Sequence, residues 1–376
     1  MVEAPSLSQA VLPPPIDAPR DRKLKFNTDA GFHAELRRRV DEYFRQDGRR
    51  PRDNWGMYLK TGILLTSFVA LYLSLLLVVN AWWQAIPVAM LLGVVTAGIG
   101  FNVMHDGGHH GYSRHKWVNK LASVTLDLIG GSSYIWHWKH GVYHHTYVNI
   151  KGHDSDIDLG FLGRLSPHQK HYGFHRFQQY YLWPLYGLLA IKWHLVGDFR
   201  DVMTGRIGER IMPRPKGWDL AVFIGGKLTF FMLAFGLPMM LHPVMSVLAI
   251  YTLTAVVLGL VMSVVFQLAH IVEHADFPAV SEVSERIENA WAIHQVETTV
   301  NFSRRSRFLA WFLGGLNFQI EHHLLPRVCH VNYLAISKVV EETCREFGVK
   351  YNEHKSFWAG LVSHFRWLRQ MGRATA

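Results

Sequence analysis

Histidine is the residue in excess in this chain, occupying 23 of 376 positions. Three short runs concentrate it: HDGGHH from His105 to His110, HGVYHH from His140 to His145, and QIEHH from Gln319 to His323. A sparser pair, His270 and His274, follows a long apolar stretch. On a helix, residues four apart share a face, so His105 and His109 can address one metal, and so can His140 and His144. His145 is turned about 100° from His144 and can serve a second metal. Imidazole suits iron, copper, zinc and nickel. Roughly eight nitrogen donors are more than one zinc uses, which points to two metals with a position left open for O2 or water. A lone histidine is more often a hydrogen-bonded core residue than a ligand. Three clusters, each beside an apolar run or in a segment facing one, are poorly explained that way.

Ligand histidines usually donate their second N–H to a carboxylate or carbonyl. Asp106, Glu273, Glu297, Glu321 and the run Asp154, Asp156, Asp158 are available for that role, although the last run reads equally well as a solvated turn. His137, His153, His168, His171, His175 and His194 fall in polar or interfacial segments, where surface roles are expected. His294 is kept as an active-site candidate.

The elements that position these clusters are membrane spans. Met57 to Asn80 and Ile86 to Met104 form one apolar pair, turned at Trp82 and Trp83, and Leu220 to Leu241 and Val244 to Ala269 form another, turned at His242-Pro243. Each is long enough for a hydrocarbon core of roughly 30 Å. Lys227 is out of place in such a run, so the third span is expected to begin near it or to let its side chain snorkel. Trp117 to Trp136 and Tyr180 to Val196 are interrupted by Asp127, and by Pro184 and Lys192, and read as interfacial or packed helices. If either crossed alone, the clusters would lie on opposite faces. The short turns carry no Lys or Arg while the other segments are rich in both, so the positive-inside rule places both termini and the clusters in the cytoplasm.

This gives an all-α integral membrane protein of four spans with a cytoplasmic helical cap. Its segments are a disordered leader (1–25), an amphipathic pre-membrane helix (26–56), a first hairpin (57–104), a segment with the first two clusters (105–218), a second hairpin (219–269) and a C-terminal segment with the third (270–376). In the pre-membrane helix Phe32, Leu36, Val40 and Phe44 recur at helical spacing, to face either lipid or the domain. The formal charge of +10 suits anionic headgroups or acidic partners. Nucleic acid is not expected, because the basic residues form no recognition element. Two cysteines exclude a disulfide framework or a cysteine-based metal site, and no cleavable signal is evident.

Three histidine boxes on two pairs of spans resemble the membrane fatty acid desaturases. QIEHHLLP (Gln319 to Pro326) is similar to the front-end type, in which Gln replaces the first His of the box. FHAELRRRVDEYF (Phe32 to Phe44), FNVMHDGGHHGYS (Phe101 to Ser113), WKHGVYHHTYVNI (Trp138 to Ile150) and FLGGLNFQIEHHLLP (Phe312 to Pro326) resemble bacterial linoleoyl-CoA-desaturase-like proteins. The resemblance implies two iron ions held by His105, His109, His140, His144, His145, His322 and His323, with His270 as a further ligand and Gln319 as ligand or near neighbour. His110, where this pattern has a small residue, is expected behind the ligands with Asp106, Glu273, His294 and Glu321. Trp136, Trp138, Tyr143 and Phe318 are candidates to line an acyl tunnel, or simply to pack.

The implied reaction is O2-dependent formation of a cis double bond in a CoA- or lipid-linked fatty acyl chain. An unactivated methylene offers no acidic proton and no leaving group, so the cofactor must supply the chemistry while the protein orients the chain. The chain has no haem-binding HPGG, no CxxC cluster and no GxGxxG-bearing strand–turn–helix, so electrons are expected from a ferredoxin or cytochrome b5-like partner. A lipid hydroxylase on the same scaffold is the alternative. A metal transporter would need polar residues lining the spans, which these nearly lack.

Overall fold

The computed structural model describes residues 23–46, 48–280 and 286–373. Most of the expected leader lies outside the described residues. Among the described residues, four helices are long and apolar enough to cross a membrane: Trp55–Leu77, Trp82–Gly108, Trp218–Leu241 and Val244–His270. The first is capped by Asn54, whose side chain accepts from the Gly56 N–H. The second is the central one, with 61% of its apolar window buried against 17 to 22% for the others. It crosses the fourth closely at Gly93, where a Cβ would stand 2.7 Å from the Thr254 carbonyl oxygen. Gly259 permits a similar approach to Gly187. Sequence patterning by apolar run thus recovers the all-helical, four-span membrane architecture.

Neither doubtful apolar stretch forms a helix long enough to cross a membrane. The first breaks into Lys116–Leu128 and Ser133–Trp136 around Gly130, whose φ is +102°. The second breaks into Gln178–Tyr186 and Leu189–Lys192. Helix Phe32–Gln46 packs on the domain: Phe32, Leu36 and Val40 are buried with Ile336, Val340 and Cys344, and Arg39 pairs with Glu346 at 2.5 Å.

Two expectations need correction. Lys227 neither starts its helix nor snorkels; it is buried nine residues into the span, 2.8 Å from Asp198 and 2.6 Å from the Gly130 carbonyl oxygen. The pairing removes the cost of a lone charge in lipid by tying the span to the segments beside it. His153, His175 and His194 are buried rather than on the surface. His175 faces the Phe161 carbonyl at 2.8 Å and His194 the Tyr251 hydroxyl at 3.3 Å, partners that only the folded chain brings near.

Strands are confined to two-residue bridges, such as Lys25–Phe26 beside Arg286–Ile287. The second and fourth spans end side by side at His105 and His270, and the remaining helices cover that end.

Candidate metal centre

Each histidine box is carried by a different kind of segment. His105 and His109 close the second span, just after a π-helical turn over Gly100–Met104. The second box sits within another, over His137–His144, rather than on the regular α-helix that the spacing suggested. Such turns locally widen the helix and recur at functional sites. Here His140 and His144 lie face to face, with ring centroids 5.0 Å apart. The third box occupies the short buried helix Gln319–Leu324, and His270 ends the fourth span.

These eight histidines converge. His105, His109, His140 and His322 offer nitrogens within 4.8 Å of one another, and so do His144, His270 and His323. A third such group, His145, His322 and His323, joins the two lobes. Across the middle, His145 Nε2 stands 3.0 Å from His322 Nε2, and within the first lobe His105 Nε2 stands 3.3 Å from His140 Nε2. The amide of Gln319 faces His270 Nε2 at 2.9 Å and His323 Nε2 at 3.4 Å.

The residues fit a metal centre on two independent grounds. First, His109 Nε2, His144 Nε2, His145 Nδ1 and Gln319 Oε1 are buried and have no hydrogen-bond partner within the protein. Buried polar atoms are rarely left so, and four in one cluster call for a ligand. Second, burial and mutual repulsion hold His109, His140, His145, His322 and His323 well below the ordinary imidazole range. They are therefore neutral, the form that binds a cation. His144 differs: burial opposes its protonation, but the Asp154 carboxylate outweighs that and raises it.

Behind the rings, His144 Nδ1 meets Asp154 Oδ2 at 3.0 Å, His323 Nδ1 meets Gln295 Oε1 at 2.9 Å, and His322 Nδ1 meets the Tyr333 hydroxyl at 3.3 Å. Each contact turns the other nitrogen toward the cluster, as outer partners of ligand histidines do. Asp154 thus belongs to a built element, since it also accepts from the Asn149 and Asp156 N–H groups. Gln295 and Tyr333 carry no sequence signal of their own.

The other sequence candidates are placed as follows. Asp106 accepts from the His330 N–H and faces His330 Nδ1 at 2.9 Å, and His330 Nε2 in turn faces Lys60 Nζ at 2.8 Å. Glu321 points away from the cluster, accepting from Asn301 and Tyr351. Glu297 accepts from Asn289. Glu273 and His110 are exposed, and His110 has a φ of +60°. His294 is buried, with its ring against Phe26, outside the convergent group.

Of the candidate tunnel residues, Trp136 touches the site, its ring lying 5.7, 5.0 and 4.8 Å from His105, His109 and His140. Trp138 and Tyr143 pack together, with the Tyr143 hydroxyl donating to the Ile211 carbonyl, and Phe318 is buried in the core beside Phe32. A larger apolar cavity of about 590 Å³ lies elsewhere, among the four spans. Thr96 in its wall stands nine residues before His105, roughly 13 Å along the helix.

Comparison with known proteins agrees with this geometry. Residues 80–355 match the fatty acid desaturase family. The chain is 36% identical over 354 residues to the sn-1 linoleoyl-lipid 6-desaturase of Synechocystis sp., covering 94% of this chain and 99% of that one. It is 36% identical to the protein of the same name from Arthrospira platensis, over 93% of this chain and 95% of the other. It is 34% identical to the acyl-lipid (8-3)-desaturase of Physcomitrium patens, over 91% and 72%. A four-span membrane protein with a histidine-built metal centre and these relatives belongs to the fatty acid desaturase family of oxidoreductases.

Proposed function

We propose that this protein uses two iron ions and O2 to insert a cis double bond on the carboxyl side of an existing one in a lipid-linked fatty acyl chain. The observation that carries the reading is the pair of joined histidine lobes with buried, unpartnered donor atoms. His105, His109, His140 and His322 would hold one iron, His144, His270 and His323 the other, with His145 between them and Gln319 beside the second. When bound, the iron pair supplies the O2-derived oxidant that an unactivated methylene requires.

The protein's own part is positional. Asp154 and Gln295 fix the tautomer and orientation of His144 and His323. Trp136 shields three rings from water and offers an apolar face along which a chain can lie. The charge of +10 favours an acidic electron donor, a ferredoxin or a cytochrome b5-like protein. The Lys- and Arg-free turns favour a cytoplasmic histidine end, and a reporter fused after Gly160 that was found outside the cell would refute that orientation.

The front-end, lipid-linked reading draws on the names of the relatives and on Gln319 opening the third box. It is tested by expressing the chain in a desaturase-deficient host supplied with linoleate and analysing lipids by mass. Loss of two hydrogens between the existing bond and the carboxyl end is expected. Gain of an oxygen atom would replace the desaturase reading with the hydroxylase one.

A further inference from the structure

Trp136, whose ring lies against His105, His109 and His140, also lines a second, small cleft, together with Ile135, Trp193 and Gly197. Its volume is about 50 Å³. A site for one water takes about 10–15 Å³ of such space, so the cleft admits a few waters or one small polar group, such as a carboxyl, ester or phosphate, and not a whole lipid.

Most of the charges around it are directly paired. Lys139 pairs with Asp156 at 2.9 Å, Arg200 with Asp201 at 2.8 Å, and Lys227 with Asp198 at 2.8 Å. Lys192, which also lines the cleft, differs: among the described residues its ammonium has no ion pair within 4 Å and no hydrogen bond, and it feels the Asp201 and Asp158 carboxylates only from farther away. Burial and the neighbouring Lys139 and Arg200 charges disfavour its protonated form more than the Asp201 and Asp158 carboxylates favour it, and an anion from outside would relieve that. The short segment bearing Lys192 also exposes Leu188, Leu195 and Val196, and the facing helix exposes Leu121 and Leu128. A cation flanked by exposed apolar side chains suits headgroup depth, where long basic side chains reach for lipid oxygens.

We propose that this cleft holds the anionic oxygen group at the polar end of the acyl substrate, with Lys192 as its counter-ion and Trp136 as the wall past which the chain reaches the metal centre. The assignment rests on the desaturase reading and deepens it. A fixed anchor for the polar end sets the reacting carbons by counting from the carboxyl group, which is what front-end regiochemistry requires. The group is the phosphodiester of a phospholipid or the carboxylate of a free fatty acid, both of which present anionic oxygens to an ammonium.

The test uses the full-length protein in nanodiscs of uncharged lipid, with equilibrium binding of labelled linoleoyl phosphatidylglycerol and of labelled linoleate. Lys192→Gln should weaken binding by about tenfold, the loss expected for one charge-assisted hydrogen bond, and Lys192→Arg should restore it. The KM should rise in parallel while kcat changes little, and the uncharged linoleoyl galactolipid should bind the variant and the parent equally. Loss confined to phosphatidylglycerol assigns the phosphodiester, and loss confined to linoleate assigns the carboxylate. Unchanged affinity of Lys192→Gln for both overturns the proposal. Binding is read without turnover, so a parent protein that bound these lipids but made no double bond would refute the desaturase reading and leave the cleft standing.

Discussion

The two lobes of the metal centre are built from the same residue type and supported in different ways. The lobe of His105, His109, His140 and His322 has four imidazoles, a single hydroxyl partner at Tyr333, and the Trp136 ring laid across it. The lobe of His144, His270 and His323 has three, backed by the Asp154 carboxylate and the Gln295 amide and closed by Gln319. A carboxylate behind a ligand raises its basicity and fixes its tautomer. The second lobe is therefore the more firmly held, anchored by the fourth span and by the Asn149–Asp154 loop, while the first lies against the Trp136 ring.

That contrast is broken most severely at His270. It lies outside the three boxes, yet supplies a third of the second lobe's imidazoles from the end of a rigid span. His270→Ala should cost more than the roughly 100-fold that bounds the loss of an outer partner, with about half the bound iron gone and the helical circular dichroism unchanged. Parental turnover in that variant would demote His270 to a core histidine.

Next in size is Asp154→Asn, which keeps the shape but removes the charge behind His144. A fall of roughly 10- to 100-fold in activity or iron affinity is expected. Tyr333→Phe, the corresponding change behind the first lobe, should cost less, because a 3.3 Å hydroxyl contact carries no charge. If the two changes cost the same, the asymmetry between the lobes is not functional.

Gln319→Ala follows. Whether its amide binds metal or a ligand ring, removing it should lower turnover by at least about tenfold, whereas Gln319→His should retain iron and stay well below the parent rate because the ring is bulkier. The smallest effect is expected at Glu321→Gln. This carboxylate lies between Gln319 and His322 in sequence but serves Asn301 and Tyr351. Thermal stability should drop while iron content holds, and activity should fall by less than the roughly tenfold of an outer partner. Iron loss in Glu321→Gln would show that the third box is held through that side of its helix.

These cases mark what the chain discloses by itself. That His105 lies near His109, and His140 near His144, is legible because their spacing is local, whereas His270 enters the candidate set only through the family resemblance. The partners are not legible. Gln295 lies 28 residues from His323, and His330 lies 224 from Asp106. Such pairs are set by how spans and cap helices pack, which no local pattern encodes. The π-helical turn at His137–His144 was hidden for the same reason, since inserting a residue into a helical turn leaves no periodic trace. Lys227 was legible as an anomaly only; its partner Asp198 belongs to a segment that sequence patterning left as interfacial.

Metal content measured together with turnover bears most directly on the two-lobed site. Protein purified gently from an iron-replete host, quantified by elemental analysis and assayed for double-bond formation in the same sample, should hold about two irons per active chain, as the donor count requires. Zinc in an inactive sample is compatible with the account, because zinc binds such donors and is redox-silent. A fully active sample holding one iron per chain, or none, would contradict it.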